Sequence, residues 1–98
     1  MLEKVKTALL ITQDVFDEEL NDVIKSAFID LNIAGVEGVT VSEESLDGAV
    51  IRAVVSYCGY HFELMHGSID RSNAFKKAYD EQKAQLGMAD GYTVWTTT

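Results

Sequence analysis

The run DVFDEELNDVIKSAFIDL, residues 14–31, decides the fold class of this chain. Within it Phe16, Leu20, Val23, Ile24, Ala27, Phe28 and Leu31 recur at intervals of three and four, which lines them along one face of an amphipathic α-helix. Asp14 stands where an N-cap belongs. Asp17, Glu18 and Glu19 then load the first turns with negative charge, where the helix dipole favours it.

Upstream, residues 2–10 place Leu2, Val5 and Leu9 on one helical face, and Ile11-Thr12-Gln13 reads as a break. A helix this short is marginal unless other elements pack on it. Downstream, residues 46–66 predict a third helix in which Ala49, Val50, Ile51, Ala53, Val54, Val55, Tyr57 and Cys58 cover more than one face. Such a helix is either central to the core or shared between subunits. A fourth helix is expected over residues 71–86, capped by Ser68 or Asp70, with Phe75, Ala78, Tyr79, Gln82 and Leu86 facing inward. The chain has no proline, so helix stops fall to Gly35, Gly38, Gly67, Gly87 and Gly91. Gly48 and Gly59 lie inside the third helix, where each costs about 1 kcal/mol relative to alanine.

Two stretches break the helical period. Residues 34–45 carry Gly35 and Gly38, then Val39-Thr40-Val41, then Ser42-Glu43-Glu44-Ser45: a loop around a short β-prone segment, longer than a tight turn. Residues 88–98 are rich in aromatic and β-branched side chains and include the chain's only tryptophan, Trp95. A terminus of this kind is either frayed or adds as a strand to something else. The expected architecture is all-α: a small bundle of about four helices with a long loop after the second. A helical domain over residues 1–87 is followed by an extended tail of β-forming composition over 88–98.

Composition narrows the function classes. Ninety-eight residues at 47% hydrophobic make one domain with one core. No apolar run approaches the roughly 20 residues that cross a bilayer, and Met1-Leu2-Glu3-Lys4 lacks a signal-peptide layout, so a cytosolic protein or a cytosolically assembled one is expected. A net charge of −8 argues against holding nucleic acid through its phosphates. Cys58 is the single cysteine, which excludes an internal disulfide or a cysteine-based zinc site, and its apolar neighbours read as burial of an inert thiol. His61 and His66 are five residues apart, about 140° around a helix, unlike the three or four of metal-binding pairs. Asp17-Glu18-Glu19 and Glu43-Glu44 read as helix-terminal electrostatics and a solvated loop in preference to an acid–base pair. There is no phosphate-binding glycine loop, nucleophile elbow or EF-hand spacing; no enzyme, cofactor or metal is expected. Tyr92 and Trp95 either fold back on their own core or meet a partner.

The order of these elements resembles a known family. It combines Ile11-Thr12 with Asp14-x-x-Asp17-Glu18-Glu19-Leu20, a glycine-containing loop, the stretch Ala49-Val50-Ile51-Arg52-Ala53-Val54-Val55-Ser56-Tyr57-Cys58, and Phe75-x-x-x-Tyr79-x-x-x-Lys83-x-x-Leu86. Over residues 2–92 it looks like the small head–tail connector, or DNA-packaging adaptor, proteins of tailed bacteriophages. That resemblance implies a structural virion protein at the head–tail junction, present in the host cytoplasm during assembly. Its partners would be further copies of itself in a ring, the portal protein, and the next head-closure or tail-completion protein. DNA would pass only as cargo, and no membrane is involved. The expected interface residues are Val39, Val41, Tyr92, Val94 and Trp95, with Glu43 and Glu44 facing the channel. An alternative is a small acidic DNA mimic that inhibits a host DNA-binding protein, although Lys76, Lys77 and Lys83 interrupt the carboxylates such a mimic would array.

Overall fold

The computed structural model describes residues 1–33 and 48–88. Among them are four α-helices and no strand: α1 Leu2–Ala8, α2 Asp17–Ile33, α3 Gly48–His66 and α4 Ile69–Met88. The expected 34–45 loop, the start of the third helix at Leu46 and the tail beyond Met88 lie outside the described residues.

Apolar residues on more than one face put α3 in the middle. It packs against α1, α2 and α4, and Val50, Ala53, Val54 and Cys58 on it are all but inaccessible. The predicted stripe of α2 meets it: Leu20, Ile24, Ala27, Phe28 and Leu31 are buried, while Phe16 and Val23 pack at the margin. From α4 come Tyr79 and Leu86, and from α1 comes Val5. Fully burying one such aliphatic or aromatic side chain stabilises by roughly 1.5–3 kcal/mol, so these contacts outweigh the weak propensity of the seven-residue α1.

The helix ends differ from expectation in three places. Asp14 does not cap α2. Its carboxylate accepts a hydrogen bond from Lys6 Nζ at 2.7 Å, and the first α2 bond runs from the Leu20 N–H to the Phe16 carbonyl. The partner that draws Asp14 away is a lysine buried at the end of α1. At α4, Ser68 is the cap: its hydroxyl accepts the Arg71 N–H at 3.3 Å and its carbonyl accepts the Ser72 N–H at 2.9 Å. The helix therefore starts at Ile69, two residues early. Gly87 does not end α4, which runs through it to Met88; the cost of glycine is small in a last turn whose backbone bonds are already made.

At the α3–α4 turn the Glu63 carboxylate accepts the Ser68 N–H at 3.2 Å. Gly59, inside α3, is explained by close approach. A Cβ on Gly59 would lie 2.7 Å from the ring of Phe75, so the absent side chain lets α4 lie close on α3. Ser72 Oγ donates to the Tyr60 carbonyl at 2.9 Å in the same seam.

Gly59→Ala improves helix propensity by about 1 kcal/mol, yet it should lower stability by about 1–3 kcal/mol because the Phe75 ring must leave its site. Urea unfolding measures the sign. A second prediction concerns Lys6, which pairs with Asp14 and, at 2.8 Å, with Asp17. The hydrogen bond from Lys6 holds the Asp14 carboxyl below its ordinary value of 3.8. A depressed folded-state value contributes stability above pH 3.8 that is lost as pH falls through the folded value. Lys6→Met should therefore be less stable than the parent at pH 6, and the gap should narrow at pH 3.

Candidate functional site

Val39, Val41, Glu43, Glu44, Tyr92, Val94 and Trp95, the residues expected to meet partners or line a channel, all lie outside the described residues. What the structure brings together is a surface that those expectations did not include.

The helices place the two ends of the bundle apart. At one end the start of α2 meets the close of α3. Phe16 packs edge-on against Phe62 at 5.1 Å, its ring lies 4.7 Å from that of His66, and Glu19 Oε2 sits 2.8 Å from His66 Nε2. The α3–α4 turn and the C-terminus of α1 belong to this end too. At the other end, Asp30 near the close of α2 accepts hydrogen bonds from the Tyr79 hydroxyl and, at 3.3 Å, from Lys83 Nζ. Burial first, and the Asp30 carboxylate second, push the Tyr79 phenol well above its ordinary range. Ile33, Gly48 and Met88, from which residues 34–47 and 89–98 depart, close this second end.

Large exposed apolar side chains gather at the first end. Leu10 (88% exposed) and Val15 (78%) lie on the α1–α2 connection, and Leu64, Met65 (68%) and Ile69 lie around the α3–α4 turn; among the described residues only Ile29, on α2, is elsewhere. Leu10 is held outward by the backbone. The Ile11 N–H bonds to the Lys6 carbonyl at 2.8 Å and the Leu10 N–H to the Thr7 carbonyl at 3.2 Å, the paired bonds of a Schellman stop. That stop puts Leu10 at φ 59°, a conformation glycine adopts freely and leucine at a cost of roughly 1–2 kcal/mol. Ile11, one residue on, turns into the core.

A furrow leads from this end along the molecule, with α1 and α4 as walls and α3 as floor. Its inner part, about 650 Å³, is lined by Glu3, Lys4, Thr7, Ala8, Ile51, Arg52, Val55, Ser56 and Gln82. Its outer part, about 490 Å³, shares Ala8 and continues over Leu9, Leu10, Ala74, Phe75 and Ala78 to the Glu63–Arg71 pair, 3.5 Å apart. The outer part is apolar apart from that one pair.

The polar constellations are occupied structurally. Asp17 pairs with Lys6 and Glu19 with His66. His61 lies between the rings of Tyr57 and Tyr60, and burial lowers its pKa. Cys58 is buried, and desolvation pushes its thiol up to about 12, so it is not a nucleophile near neutral pH. No group of three metal-ligating side chains occurs among the described residues, nor is any described helix long and apolar enough to cross a membrane. The sequence signal for the exposed end was the run Leu9-Leu10-Ile11, since three consecutive apolar residues cannot all face one core from a helix end.

The family described as phage connector protein matches residues 1–93. No curated protein and no solved structure matches the chain.

Leu10→Gly separates the two roles of that residue. Relief of the left-handed backbone, less the entropy of glycine, should raise folding stability by about 0.5–1 kcal/mol, while self-association or partner binding weakens. Thermal melts and sedimentation of the same sample read both effects.

Proposed function

Because the chain belongs to the phage connector protein family, and so has a structural connector role in a phage particle, we propose that it forms a ring beneath the portal. That ring joins head to tail and leaves an axial path for DNA. The observation that carries this reading is the match over residues 1–93. It is supported by the large apolar side chains exposed at one end of the described helices, because apolar patches rimmed by polar residues mark interaction surfaces.

In this reading Val39 and Val41 on one segment, and Tyr92, Val94 and Trp95 on the other, contact neighbouring copies or the portal. Both segments depart from the end of the bundle that carries Ile33, Gly48 and Met88. Glu43 and Glu44 face the channel. An acidic wall there lets DNA slide, since phosphate neutralisation by lysine and arginine is what holds DNA in place. The next head-closure or tail component meets the opposite side of the ring.

Negative-stain electron microscopy of the protein, alone and with its portal, tests the reading. Rings are expected in at least one condition, and a monodisperse monomer in both would sink it. Removal of residues 89–98 should abolish rings with little loss of helical circular dichroism. The paired change Glu43→Gln, Glu44→Gln should leave rings intact and impair DNA passage; normal DNA ejection would remove these two residues from the wall.

A further inference from the structure

The geometry points to a specific occupant for the outer furrow: the apolar tail segment around Trp95 of a second copy of this chain, an inference that rests on the ring reading above. The site is the outer part of the furrow, where Leu9, Leu10, Ala74, Phe75 and Ala78 form an apolar trough at the first end of the bundle. The donor segment continues from Met88, at the opposite end. A receptor at one end and a donor at the other is the arrangement of a head-to-tail contact, which generates a ring when the rotation between copies closes.

Chain length limits what the same copy can fill. Ala78 and Ala74 lie about 15 and 21 Å back along α4 from Met88 at 1.5 Å per residue. After a four-residue turn, residues 92–95 would span at most about 14 Å. A copy's own Trp95 would therefore reach only the near rim of the trough at Ala78, whereas a neighbour's tail could fill it as far as Leu9 and Leu10.

Charge points the same way. Copies carrying −8 repel one another, and the contact between them is easiest where neither side adds to that charge. Residues 91–98 contain no charged side chain. The outer furrow contains one acid and one base already paired, Glu63 and Arg71. Tyr92, Val94 and Trp95 supply the aromatic and branched side chains that fill such a trough.

Cross-linking between two singly substituted chains tests this. One carries Ala74→Cys on the furrow rim, and the other carries Thr96→Cys beside the intact Trp95. Cys58 is retained, because its buried thiol does not compete. The two are mixed at ring-forming concentration, with and without the portal, and treated with a short bismaleimide. The expected result is a mixed dimer that neither chain gives alone, reduced at least tenfold when Trp95→Ala is added to the Thr96→Cys chain. Rings by electron microscopy without the mixed product overturn the docking and leave the connector reading standing. A doubly substituted chain that links only within itself overturns it too, by making the copy's own tail the occupant. Absence of rings in every condition overturns the connector reading and this inference with it.

Discussion

Everything in this molecule leans on α3. A helix of 19 residues with apolar side chains on several faces cannot be satisfied by one neighbour, and here three helices cover it. The tightest of those contacts is the one with α4, where Gly59 gives up its helix propensity so that the Phe75 ring can lie against backbone. The trade favours the glycine because aromatic burial outweighs the roughly 1 kcal/mol that glycine costs in a helix. Once α4 is seated, the Tyr79 hydroxyl reaches Asp30 on α2 and Ser72 reaches the Tyr60 carbonyl, so polar groups in the seams find partners.

The acidic character of the chain is less uniform in three dimensions than in composition. Lys6 is buried yet spans Asp14 and Asp17, which ties the end of α1 to the beginning of α2. Lys83 and Tyr79 converge on Asp30, and Lys76 pairs with Asp80. Several carboxylates thus serve the fold. Meanwhile the outer furrow holds one acid and one base that are already paired, which is where a protein of this charge can bring copies together.

How much of this was legible beforehand follows from what periodicity can register. The inward stripes of α2 and α4 and the central place of α3 are properties of residue spacing, and they emerge in the fold. Capping competes between neighbouring side chains, so spacing could not choose Ser68 over Asp70 or foresee that Lys6 would claim Asp14. Lys6 and Ser72 count as outward residues in any apolar pattern, yet both are buried because each finds an acceptor. The exposed end is harder to place for the converse reason: Leu9-Leu10-Ile11 signals that one apolar residue must face out, but it is the Schellman stop, which spacing does not register, that turns Leu10 outward. The interface residues Val39, Val41, Tyr92, Val94 and Trp95 and the channel-facing Glu43 and Glu44, which the family resemblance implied, remain proposals, while the furrow emerged only once α1 and α4 were seen to flank α3.

One wall of that furrow is α1, seven residues that would not stay helical alone. Anything that fills the furrow binds only when this wall is in place, so occupancy and the ordering of α1 are thermodynamically linked. By mass action, a neighbour present at a hundred times its dissociation constant would add about 2.7 kcal/mol to the docking of α1. The N-terminal helix would then be firmest in the assembled particle and most readily opened in the free subunit.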